Sequence, residues 1–95
     1  MLILKYTRIA IDDLRQAYSY IAFDNPQNAH EIIERIRYSI NMLCIHHHLG
    51  RPGRVKNTRE FVVTKTPFIV IYKKNKSELW ILNVLHVARK YPLAN

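Results

Sequence analysis

Within six residues near the end of the chain, the run HVARKY sets out an imidazole, a guanidinium, an ammonium and a phenol: His86, Arg89, Lys90 and Tyr91. Gathered at one strand end, they have the chemistry for RNA cleavage: a base for a 2′-hydroxyl, a cation for developing charge and a ring on which a nucleobase stacks. A plainer reading stays open, in which His86 bonds locally and Arg89 pairs with Glu60 or the C-terminus. A second cluster, GRPGRVKNTR, carries Arg51, Arg54, Lys56 and Arg59 on a backbone stiffened by Gly50, Pro52 and Gly53. These types suit phosphate or carboxylate contact. The cluster is not a P-loop, because the glycine–Lys–Ser/Thr pattern and the helix after it are missing. The triplet His46–His48 reads as a helix end: three successive side chains point apart, and no Cys or carboxylate stands at ligand spacing. Neither a metal nor a cofactor is expected, and GxSxG, HExxH and paired carboxylates are absent.

The charge is unevenly placed. Residues 1–50 hold five Lys/Arg and five Asp/Glu, whereas residues 51–95 hold ten Lys/Arg against Glu60 and Glu78, so the second half supplies the net +8. Such asymmetry points to an acidic partner, either nucleic acid or protein. The single Cys44 makes no internal disulfide, so a reducing, cytoplasmic setting is the simple reading. No apolar run approaches the ~20 residues of a membrane span, and no signal peptide is visible, so no membrane partner is expected.

Ninety-five residues suit one domain, 1–95. LILKY, residues 2–6, has the character of a short strand. Thr7 suits a helix cap, and Ile11, Leu14, Ala17, Tyr18 and Ile21 recur on one helical face. DNP, residues 24–26, ends that helix and starts another, with Asp24 or Asn25 as cap and Pro26 in the first turn. Ala29, Ile32, Ile33, Ile36, Ile40 and Leu43 form its stripe, and the short link makes the pair an antiparallel hairpin. Residues 59–65, 68–73 and 78–88 then read as three strands of a meander, the last two apolar on both faces and so central. The expected fold is α+β in the order β-α-α-β-β-β, an antiparallel sheet with a helical hairpin on one face. The other face is either covered or a binding surface.

In order and spacing, three motifs resemble the toxins of the RelE/ParE superfamily, the ParE-like branch in particular. The first falls on Gly50, Arg51, Gly53, Arg54, Val55, Thr58, Arg59 and Glu60. The second falls on Pro67, Phe68, Val70 and Tyr72. The third falls on Ile81, Leu82, Val84, Leu85, His86, Arg89, Tyr91 and Pro92. The resemblance implies the toxin of a type II toxin–antitoxin system, held inactive by a small acidic antitoxin and tied to operator DNA through that antitoxin. It implies one of two targets: DNA gyrase for ParE-like members, or the ribosome and its mRNA for RelE-like ribonucleases. The basic positions of the ribonucleases fall here on Glu60, Val62, Ile69 and Val87, which favours a gyrase inhibitor. A ribonuclease using His86, Arg89 and Tyr91, or a degenerate toxin kept as a regulatory module, is the alternative. In either case Arg51, Arg54, Lys56, Arg59, His86, Arg89, Lys90 and Tyr91 are the expected contacts with target or antitoxin.

Overall fold

The computed structural model describes residues 1–88. Its elements run β1 (Ile3–Tyr6), α1 (Arg8–Asp24), α2 (Pro26–Leu43), β2 (Arg51–Pro52), β3 (Arg59–Val62), β4 (Phe68–Lys74) and β5 (Glu78–His86). The sheet order is β1-β5-β4-β3-β2. The α+β plan therefore holds, and β4 and β5 are inner strands as their apolar character requires. Two details differ from expectation. β2 extends the meander by a two-residue rung, Arg51 opposite Glu60. β1 joins β5 in parallel, Ile3 opposite Glu78 through Tyr6 opposite Ile81, so the sheet is mixed. The two helices between these strands form the long crossover that parallel neighbours need.

Both helix starts follow local chemistry. The Thr7 hydroxyl accepts the Ala10 N–H at 3.0 Å and donates to the Ile81 and Leu82 carbonyls, so one side chain caps α1 and ties it to β5. Asn25 accepts the Asn28 N–H at 3.1 Å and caps α2, with Pro26 at its first position; Asp24 is the last residue of α1. The hairpin covers one sheet face with Ala10, Ala17, Ile36, Ile40 and Leu43 against Phe68, Val70, Tyr72, Leu79, Ile81 and Val84. The α2 stripe is the expected one. That of α1 is rotated: Ala10, Asp13 and Ala17 are buried, while Ile11 and Tyr18 are exposed.

β5 carries an extra residue. Ile71 faces Asn83 and Tyr72 faces Ile81, leaving Leu82 unpaired in a bulge. The bulge resets the alternation, so that Leu79, Ile81, Val84 and then His86 look toward the helices. Leu85 joins Ile69 and Ile71 on the other face, with Leu82 packed beside them. β1 ends opposite Ile81, which leaves the outer edge of β5 open beyond it. Asp13 closes that edge: its Oδ2 accepts the Val84 N–H at 2.9 Å and the Asn83 amide at 3.3 Å.

Candidate functional site

The cationic loop is organised around one carboxylate. Glu60 stands on β3 opposite Arg51, with its side chain 1% exposed. It accepts Arg51 Nη2 at 3.3 Å, the Arg54 backbone N–H at 3.0 Å, Arg54 Nε at 3.2 Å and Arg54 Nη2 at 3.1 Å. Burial alone would push the Glu60 carboxyl up, but these hydrogen bonds outweigh it and hold the group below its ordinary 4.5. The Arg51 and Arg54 side chains remain about half exposed, at 61% and 48%, while both hold Glu60.

The remaining motif residues brace the same loop. Gly53 N–H donates to the Thr58 carbonyl at 2.7 Å, and the Thr58 hydroxyl donates to the Val55 carbonyl at 2.6 Å. A Cβ on Gly53 would collide with Thr58, which explains glycine there. Asn57 takes the left-handed turn position at φ 66°, a conformation asparagine tolerates well. Arg59 looks to the helix side, where its Nη1 donates to the Gly50 carbonyl at 2.6 Å. The buried Tyr72 hydroxyl accepts the Gly50 N–H at 2.9 Å and donates to the His47 carbonyl at 2.8 Å, locking the exit of α2 to β4. Lys56 stands exposed at the loop tip.

His86 lies elsewhere. It ends β5 opposite Phe68, edge-on to that ring at 5.5 Å. It borders a hollow lined by Asp13, Gln16 and Tyr20 of α1. Its Nδ1 accepts the Ala88 N–H at 3.1 Å, as the local reading had it. In the neutral ring that bond puts the proton on Nε2 and occupies the only lone pair a general base would use. His86 looks toward the helices, whereas Glu60 and its arginines lie on the opposite face. It is also three residues beyond the Asn83 rung, about 10 Å along the strand. The two sequence clusters therefore do not form one site among the described residues. Arg89, Lys90 and Tyr91 lie outside the described residues.

His46–His48 follow α2 in a turn and are not its last helical residues. Burial lowers the pKa of His47, and His48, Lys74 and Arg59 lower it further. No group of three potential metal ligands gathers among the described residues. Sequence reasoning missed two things: Glu60 as the hub of the loop, and Tyr72 as the bolt beneath it. The first had a signal, since a lone acid amid the four basic residues Arg51, Arg54, Lys56 and Arg59 calls for pairing; the second had none beyond a tyrosine in an apolar strand.

A helical hairpin on a five-stranded mixed sheet is the fold of the ParE/RelE toxin structures. The chain belongs to the family of ParE toxins of the type II toxin–antitoxin system parDE, whose pattern matches residues 4–91. It is 33% identical over 89 residues to Y4kP of Sinorhizobium fredii, a provisionally named toxin, spanning 94% of this chain and 92% of that one. Among solved structures it resembles a chain of the chromosomal ParDE toxin–antitoxin system from P. aeruginosa, with TM-score 0.82 and 26% identity over 90% of this chain and 96% of that one. The E. coli DinJ–YafQ toxin–antitoxin complex contains a chain of the same fold, with TM-score 0.64 and 17% identity over 95% of this chain and 97% of that one. Toxin–antitoxin complexes thus stand among its structural neighbours.

Proposed function

We propose that residues 1–95 form one toxin domain that acts in the cytoplasm as a non-catalytic inhibitor of DNA gyrase, silenced by a small acidic antitoxin. One observation carries the choice against catalysis: Glu60 with the Arg51 and Arg54 that hold it, and His86, lie on opposite faces of the sheet. An RNA-cleaving site needs a base, a charge stabiliser and a phosphate grip within reach of one scissile bond. On the free face, the positions that are basic in the ribonucleases hold Glu60, locked to arginines, the exposed Val62 and the buried Ile69; Val87 is exposed beyond β5. Arg51, Arg54, Lys56 and Arg59 offer contacts for target or antitoxin, as do His86 and the following Arg89, Lys90 and Tyr91. Operator DNA is reached through the antitoxin.

The ribosome-dependent ribonuclease is the second reading, favoured by the exposure of His86 at a strand end. Induction without antitoxin separates the two. The proposal expects early SOS induction and replication arrest while translation continues. Prompt translation arrest with mRNA cuts in the ribosomal A site, abolished by His86→Ala, would replace it with the ribonuclease. No effect on growth would leave a degenerate module.

A further inference from the structure

On the free face, away from His86, three residues stand abreast on adjacent strands. Lys5 of β1 is opposite Trp80 of β5, which is opposite Lys73 of β4. Directly opposed residues share a sheet face, and the strand spacing puts the two lysine backbones about 10 Å apart with the indole between them. The Trp80 Nε1 donates to Glu78 Oε1 at 3.0 Å, and the Asn75 amide holds the same oxygen at 3.2 Å. The ring is thereby fixed in orientation with its polar edge spent, and the residue is half-buried. No other ring stacks on it, and no carboxylate forms an ion pair with Lys5, Lys73 or Lys74, among the described residues. Trp80, Lys73, Lys74, Asn57 and Leu82 border a hollow of about 590 Å³.

We infer that this rung is a binding site for single-stranded nucleic acid, with one unpaired base stacked on Trp80 and the flanking phosphates held by Lys5 and Lys73. A flat, immobilised aromatic surface flanked by cations matches a nucleotide better than an acidic peptide, because carboxylates would engage the lysines and leave the ring without a partner. Glu78 lies beside the ring, where its Oε1 accepts the indole N–H and the Asn75 amide and its charge is also felt by Lys5. The inference is independent of the choice between gyrase and ribosome, since none of these residues enters that argument.

Trp80 is the one tryptophan of the chain, so its fluorescence reports this site alone. The full chain is titrated with a single-stranded oligothymidylate, a duplex and polyglutamate, and affinities are checked by anisotropy of the labelled strand. Saturable quenching by the single strand is expected, with weaker binding of the other two. Trp80→Ala is expected to weaken the single strand roughly 5- to 150-fold, with Trp80→Phe losing less because a ring remains. Lys5→Ala with Lys73→Ala is expected to lower the salt slope by roughly 1.4, the share of two phosphates on a single strand. Should Trp80→Ala fail to fold, Trp80→Phe and the exposed lysine pair still decide the matter. Equal or tighter binding of polyglutamate would overturn the inference, as would an unchanged salt slope in the lysine variant or full affinity in a folded Trp80→Ala.

Discussion

Glu60 illustrates how a charged residue in a basic loop becomes structural. Its carboxylate is buried, yet it receives hydrogen bonds from Arg51 and Arg54 that outweigh its desolvation. Glu60→Ala is expected to cost about 2–3 kcal/mol in urea unfolding, below the full cost of an orphaned buried charge, because both arginines can turn to water. Because the folded carboxyl titrates below 4.5, its contribution is complete above that value and is lost as pH falls through the folded pKa. The acid limb of wild-type stability is therefore expected to be steeper than that of Glu60→Gln; parallel limbs would deny the linkage. Lys65 is the opposite case. It holds φ 62° in the turn between β3 and β4, where a side chain is strained. Lys65→Gly is expected to raise stability by up to about 1 kcal/mol, read as a higher urea midpoint at constant m-value.

At the scale of elements, the docking of α1 on β5 rests on polar groups that replace a missing strand. Beyond Ile81 no strand among the described residues pairs the outer edge of β5, and Asp13 and Thr7 serve the exposed backbone groups. Asp13→Ala leaves the Val84 N–H buried and unpaired, at a cost of about 1–3 kcal/mol. Hydrogen exchange at Val84 is expected to accelerate in this variant far more than exchange within β4. Equal acceleration everywhere would mean only global loss of stability. Cap positions were legible in the sequence, since Thr7 and Asn25–Pro26 act through neighbours in the chain. The buried face of α1 was not, because Ile11 and Tyr18 fit the helical period as well as Ala10 and Asp13 do. Only the open edge of β5 explains why an aspartate is drawn inward.

For the whole molecule, the excess of positive charge in residues 51–95 predicts salt-sensitive association with an acidic antitoxin. Raising ionic strength is expected to slow association more than it speeds dissociation, measured by stopped-flow mixing with the antitoxin. A salt-independent association rate would remove electrostatic steering. Under the gyrase reading, His86→Ala is expected to leave toxicity within a few-fold of wild type in a growth assay, since among the described residues its ring bonds Ala88 and leans on Phe68.

The residue types and their order determined the element sequence, the helical hairpin, the central place of β4 and β5 and the family motifs. These depend on local capping, turn chemistry and apolar periodicity, which act over a few residues. Which side chains meet was decided by tertiary structure. One unpaired residue, Leu82, resets the alternation of β5, turning His86 toward the helices and Leu85 away from them. A strand has a period of two, so a single extra residue exchanges its faces, and nothing in ELWILNVLH marks where that residue falls. For the same reason His86 stands on the opposite side of the sheet from Glu60 and the two arginines that hold it.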